Sequence, residues 1–247
     1  MRTALVLLIL CSGVARAGDD PATVAHKHAQ QTKDPKDYEK AAALYEQYFA
    51  KPNHPDEAAM SFYYAELLFR MQRYDEAAKY YDRSLTVDPK STFADEAAYA
   101  LVMSTKNAVK TPNPTPDSPP PCPDMKPCAI PADLQRLLAA FDRYLAIVSA
   151  TAKDRANMEY RRAKVFYDYQ HFAEAAPIFD HVVIAYPDNE LATYAANLEM
   201  DCLAILKRYD PLRALVERVK KNATLMKDET TQKQVREMDA GLKKRGK

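Results

Sequence analysis

The stretch Ala58–Ser91, AAMSFYYAELLFRMQRYDEAAKYYDRSLTVDPKS, limits the possible fold more than any other part of the chain. It reads as two short amphipathic helices around a tight turn. In the first, Tyr64, Ala65 and Leu68 share a face; in the second, Tyr74, Ala77, Tyr81 and Ser84 recur at spacings of 3, 4 and 3. Ala65 and Ala77 are small enough for two helices to approach closely, and the neighbouring aromatics fill the space around that contact. Pro89 stops the second helix because it has no N–H to donate, and it restricts Asp88 before it. Two helices of this size cannot cover their own apolar faces, so further helices must stack on them.

The same spacing returns along the chain. A polar stretch over 20–32 with scattered alanines predicts a short first helix, and Tyr38, Ala41, Tyr45 and Tyr48 predict its partner. Phe93–Val109 predicts another first-type helix, its Asp95-Glu96-Ala97-Ala98 echoing Asp56-Glu57-Ala58-Ala59. Lys110–Ile130 is too rich in proline for helix and favours extended chain. Helical spacing resumes after Pro131 with Leu137, Ala140, Tyr144 and Ile147, and Asp133 suits a helix start. Ala156–Asn189 is a further pair, marked by Ala163 and Phe166, then by Phe172, Ala175, Phe179 and Val182. Glu190–Asn222 is looser, and the register of its first helix is ambiguous. Asp228–Lys244 has the weak apolar stripe of a capping helix. The leading residue of each second helix falls at 38, 74, 137, 172 and 209, steps of 36, 63, 35 and 37, with the proline-rich insertion in the long step. Five stacked helix pairs and a cap are expected, coiled into a right-handed superhelix.

Glycine usage excludes whole classes of chemistry. Gly13 and Gly18 lie at one end and Gly241 and Gly246 at the other, with none between. Phosphate-cradling loops, dinucleotide folds and nucleophile elbows need glycine for positive φ or close backbone approach. The formal net charge of +1 supplies no field for nucleic acid. At the N-terminus, Arg2, the apolar run Ala4–Cys11 and the Ala15-Arg16-Ala17 cleavage pattern read as a signal peptide over 1–17. That run is shorter than the roughly 20 residues needed to span a bilayer. An exported, periplasmic location is expected, with N-terminal helix pairs over 18–109, the insertion over 110–130, and further pairs and the cap over 131–247. Lipidation of Cys11 would instead attach the protein to the outer membrane, although Leu10 is large for such a site.

Small and aromatic residues alternating around a terminal proline over 34 residues resemble a tetratricopeptide repeat (TPR), with Ser61 replacing the usual first aromatic. The resemblance extends over nearly the whole chain after the signal peptide. It implies an all-α, TPR-like solenoid that binds extended peptides or partner helices in a groove lined by its first helices. The groove positions it implies are Phe62, Glu66, Phe69 and Arg70 in one pair and Tyr160, Lys164, Tyr167 and Asp168 in another. Such aromatic and charged side chains suit a peptide-binding surface. The proline-bounded units with Asp-Glu-Ala-Ala starts look like exported bacterial envelope TPR proteins, among them the barrel-assembly lipoprotein. AYPDNELATYAANLEMDCL also resembles the envelope TPR proteins of myxobacterial gliding machinery. A non-enzymatic scaffold for envelope proteins is implied, with no cofactor and no metal.

Cysteine and histidine offer the remaining chemistry. In an exported protein Cys122 and Cys128 are expected to form a disulfide, with a redox pair or half of a metal site as alternatives. Five residues and two prolines intervene, unlike a redox CxxC, and zinc needs about four ligands. Cys202, in the apolar run MDCLAIL, reads as a buried free thiol. His26, His28, His54, His171 and His181 form no recognisable pair with a nucleophile or carboxylate. The basic tail of Lys243, Lys244, Arg245 and Lys247 reads as a solvated cap, or as a peripheral contact with acidic lipid. A second functional reading is an accessory subunit or small-ligand sensor, with the Cys122–Cys128 insertion as a redox-responsive lid.

Overall fold

The structure, a computed structural model, describes residues 20–52, 56–112, 121–122 and 126–245. The signal segment over 1–17, Cys11, His54 and Lys247 lie outside the described residues. The chain divides into two compact units, one ending at Ala108 and one starting at Val109. Among the described residues both are wholly helical.

The first unit contains α1 (Pro21–Thr32), α2 (Pro35–Phe49), α3 (Glu57–Arg70), α4 (Tyr74–Val87) and α5 (Ala94–Ala108). Each packs against the next in chain order. The first two starts follow from sequence: Asp20 and Asp34 accept from the amides of Ala22 and Lys36, both at 2.9 Å, and proline takes the first helical position. The spacing of Tyr38, Ala41 and Tyr45 turns all three inward, and Ala65, Ala77 and Tyr81 are equally buried. A run of rings joins the helices. Tyr45 stacks on Tyr64 at 5.0 Å, Tyr64 meets Tyr80 edge-on at 4.5 Å, and Phe62 stacks on Phe93 at 4.8 Å. Ser84 fits the small position of α4 and donates from Oγ to the Ala58 carbonyl at 2.8 Å.

The second unit contains α6 (Ala132–Ile147), α7 (Arg155–Asp168), α8 (Phe172–Ala185), α9 (Glu190–Ile205), α10 (Tyr209–Lys221), a 3-10 turn (Leu225–Lys227) and α11 (Glu229–Arg245). The proline-rich insertion begins this unit. Asp133 holds its first two residues, accepting from the Lys110 and Thr111 amides at 2.9 and 2.8 Å and from Thr111 Oγ1. Burial would raise this carboxyl, but the hydrogen bonds from Thr111, Lys110 and Leu134 prevail and lower it to about 2. Asp133 therefore does more than favour a helix start. Ala163, Ala175, Phe179 and Val182 share one apolar cluster with Ala195, Leu215 and Val235, so α11 closes the core as a cap.

Three hairpin turns repeat the same geometry without glycine. Gln72, Gln170 and Lys207 have φ of 61°, 61° and 56°. Each is followed by a residue whose amide returns to the carbonyl five positions back: Arg73 to Leu68, His171 to Phe166, Arg208 to Leu203. A residue with a Cβ is disfavoured there by about 1–2 kcal/mol.

Phe179 is fully enclosed. Phe179→Ala is expected to lower the unfolding free energy by ~3–5 kcal/mol in urea denaturation, and a loss below ~1 kcal/mol would contradict its burial. Lys207→Gly should do the reverse. Relief of ~1–2 kcal/mol at positive φ exceeds the ~0.4–1 kcal/mol of added freedom in the unfolded chain, so the thermal midpoint should rise slightly.

Candidate functional site

The groove residues implied by sequence fall on two helix faces, one in each unit. On α7, Tyr160, Lys164, Tyr167 and Asp168 form one connected patch. Lys164 and Asp168, four apart on one helical face, form an ion pair. The Lys164 ammonium also lies 5.8 Å from the centre of the Tyr167 ring. Burial raises the Asp168 carboxyl, and Lys164 opposes that shift. Tyr160 and Tyr167 pack on Phe179 with ring centres 5.8 and 6.2 Å away, so the core fixes their orientation. From α7 the patch reaches α9: Tyr167 Oη donates to Asp201 Oδ2 at 3.4 Å. Gln234 of α11 donates to Asp201 Oδ1 at 2.8 Å and to the Asn197 carbonyl at 2.9 Å. Tyr194, one turn before Asn197, is 58% exposed.

On α3 the four residues have different surroundings. Phe62 is buried between Phe93 and Tyr81 and presents no surface. Glu66 is half-buried and accepts a hydrogen bond from Tyr81 Oη. Burial raises its carboxyl, the Tyr81 bond opposes the rise, and the nearby Glu96 carboxylate adds to it. Phe69 meets Tyr74 edge-on at 5.3 Å, while Arg70 is exposed. On α5 the Glu96 carboxylate lies near Glu66, and Tyr99 of the same helix is exposed.

Sequence reading missed Tyr194, Asn197 and Asp201 because the register of α9 was open. The left-handed turn residues Gln170 and Lys207 supply it: the same offset places Asn197 level with Tyr160 and Asp201 level with Lys164. Also missed was Glu159, buried on α7. Its carboxylate pairs with His181 Nδ1 at 2.5 Å and accepts from Tyr186 Oη at 3.0 Å and Arg155 Nε at 3.1 Å. Arg155 Nη1 then donates to the carbonyls of Leu145 and Val148 at 3.0 and 2.6 Å, which ties the end of α6 to α7 and α8. His181 thus has a carboxylate partner that sequence spacing did not reveal.

Cys122 and Cys128 are joined, with Cα atoms 5.5 Å apart. Cys202 is a buried free thiol, pushed up to about 12 by burial and by the nearby Asp201 and Glu199. Among the described residues no group of three or more His, Cys, Asp or Glu side chains is placed to hold a metal ion. No helix among them is long and apolar enough to cross a membrane.

Residues 36–92, from α2 through α4, match the family model described as tetratricopeptide repeat. The comparison with curated proteins returns no match. Among solved structures, the chain is similar to MamA protein at 12% identity, covering 84% of this chain and 95% of that one, with a TM-score of 0.47. It is similar to the TPR-like repeats of a Podosopora anserina putative kinesin light chain at 12% identity, with coverage of 88% and 94% and a TM-score of 0.42. A tetratricopeptide repeat protein from Parabacteroides merdae gives 11% identity, coverage of 93% and 81%, and a TM-score of 0.39.

Glu199 on α9 provides a test of this packing. Burial raises its carboxyl to about 8, the Asp180 carboxylate adds to the rise, and Arg218 opposes it. Arg218 Nη1 is itself bound to Asp180 Oδ1 at 2.5 Å, so Glu199 holds a proton beside an already paired acid. In the unfolded chain the group titrates near 4.5. Between those values the folded state binds the extra proton, so this group's contribution to stability is complete below 4.5 and lost as pH rises through about 8. Glu199→Gln should remove that loss, stabilising the protein at pH ~9 by a few kcal/mol relative to the parent while changing little at pH ~5. Urea midpoints across that range measure it, and parallel pH profiles would contradict it.

Proposed function

Starting from a chain that carries a tetratricopeptide repeat over residues 36–92, we propose that this protein is a binding scaffold. Its partner is a protein segment, an extended peptide or a helix, received on a first-helix face: that of α3 in the first unit or that of α7 in the second. The observation that carries this reading is the α7–α9 patch. Tyr160, Lys164, Tyr167 and Asp168 stand together, held from behind by Phe179, and the patch continues through Asp201 with exposed Tyr194 on the same helix. Aromatic anchors fixed before binding lose little side-chain freedom on contact, and the charges beside them set partner choice. On α3 and α5, Glu66 and Glu96 add half-buried and exposed acid beside tyrosine, which favours a partner segment with a basic side chain there.

The compartment we propose is the periplasm, within a cell-envelope complex. The signal-like segment over 1–17 and the Cys122–Cys128 disulfide support export, since such bonds persist in oxidising compartments. Attachment to the outer membrane through Cys11 is an extension of the same proposal.

A photo-crosslinking residue at Tyr194 should capture a discrete partner in intact cells, whereas one at Ile184 on α8 should not. Adding Tyr160→Ala and Lys164→Glu should weaken capture at least ~10-fold with helical content retained. Equal capture from both positions, or capture indifferent to the double substitution, would refute the α7–α9 face as the binding surface.

A further inference from the structure

Three hairpin turns of the chain share one backbone geometry, yet only one of them is covered. Gln72 and Lys207 stand exposed at the left-handed position of their turns, whereas Gln170 is 6% exposed. The residues before them differ in the same sense: Met71 and Leu206 are half-buried, and Tyr169 is buried. The turns match hydrogen bond for hydrogen bond, so the backbone does not account for the difference.

Among the described residues the cover is the joined pair Cys122 and Cys128. Gln170 Nε2 donates to the Cys122 carbonyl at 3.0 Å, and His171 Nε2 donates to the Cys128 carbonyl at 2.9 Å. The Cys128 amide donates in turn to the Tyr169 carbonyl at 3.3 Å. Three consecutive turn residues therefore hold the two half-cystines by their main chain. None of these bonds uses the sulfur atoms. The disulfide acts by keeping the two carbonyls at the separation that Gln170 and His171 require.

We propose that the Cys122–Cys128 bond is a redox-addressable latch that seats these two residues on the α7–α8 turn, and that opening it uncovers Tyr169, Gln170 and His171. The two sulfurs differ in access. Cys122 is 1% exposed, whereas Cys128 is half-buried. The co-reactant is a dithiol. One of its thiolates attacks Cys128 Sγ, the S–S bond breaks, and Cys122 departs as a thiolate that takes up a proton. The second dithiol sulfur then attacks the first, forming the reductant's own disulfide and releasing Cys128 as a thiolate, which is protonated in turn. Two electrons pass from the dithiol to the cystine. With the S–S bond broken, Cys122 and Cys128 are free to separate, and the two side chain–carbonyl bonds are no longer held at fixed spacing. The seated cystine is bonded to the hairpin turn itself. The latch goes beyond the binding role proposed above and stands without it.

Amide hydrogen exchange on the full chain, with and without dithiothreitol, tests the latch. Alkylation and mass measurement should confirm that two thiols have been gained. Exchange at residues 169–172 should accelerate by ~10-fold or more on reduction. The matching turns at 71–74 and 206–209 should keep their rates. Cys122→Ser with Cys128→Ser should show the fast rate at 169–172 with or without dithiol. Gln170→Ala, with the disulfide intact, should give a smaller local acceleration. Unchanged exchange at 169–172 in fully reduced protein would overturn the proposal. Acceleration spread evenly over the second unit would overturn it too, since the bond would then be a brace for the fold.

Discussion

The close approach of paired helices at alanine is the constraint on which the rest of the structure depends. Ala65 and Ala77 in one hairpin, and Ala163 and Ala175 in another, have no exposed surface. A larger side chain at any of them would push the helices apart and undo the aromatic packing around them. Because the crossing is tight, Tyr81 and Phe179 can fill the remaining space and become fully enclosed. The same aromatics then support the faces that the hairpins present outward. Tyr160 and Tyr167 rest on Phe179, and Tyr81 supplies the hydroxyl that holds Glu66. Core and proposed binding surface therefore use the same rings.

Charge in this chain is used locally. Glu159, Asp180 and Asp201 are each bound by a residue of a neighbouring helix, and Asp133 by Lys110 and Thr111 of the insertion. Glu199 is the exception, sealed among α8, α9 and α10 with one oxygen unpartnered. Holding a proton there is the cheaper state, because an unpaired buried carboxylate would cost far more.

Helix identity was legible from sequence because period and punctuation agree. Pro21, Pro35, Pro89 and Pro187 fall at helix boundaries, and the spacing of 3, 4 and 3 marks the buried side of each second helix. The site was only partly legible. Phe62 carries a groove position by resemblance, but Phe93 from the start of α5 covers it, and no local pattern announces that contact. Asp201 and Tyr194 were hidden by the uncertain register of α9, which the turn residue Lys207 fixes once its φ is known. The seating of the disulfide ring depends on Gln170 and His171, more than forty residues away in sequence. Long-range contacts of that kind leave no periodic signal.

A helix pair here is held by its neighbours rather than by its own sequence. Circular dichroism of two pieces tests it most directly: residues 155–186, which carry α7 and α8 alone, and residues 109–247, the whole second unit. The short piece is expected to have little helix and no cooperative melting, whereas the unit has the helix content of α6 to α11 and melts in one transition. A short piece that is as helical as the unit and melts cooperatively would contradict it.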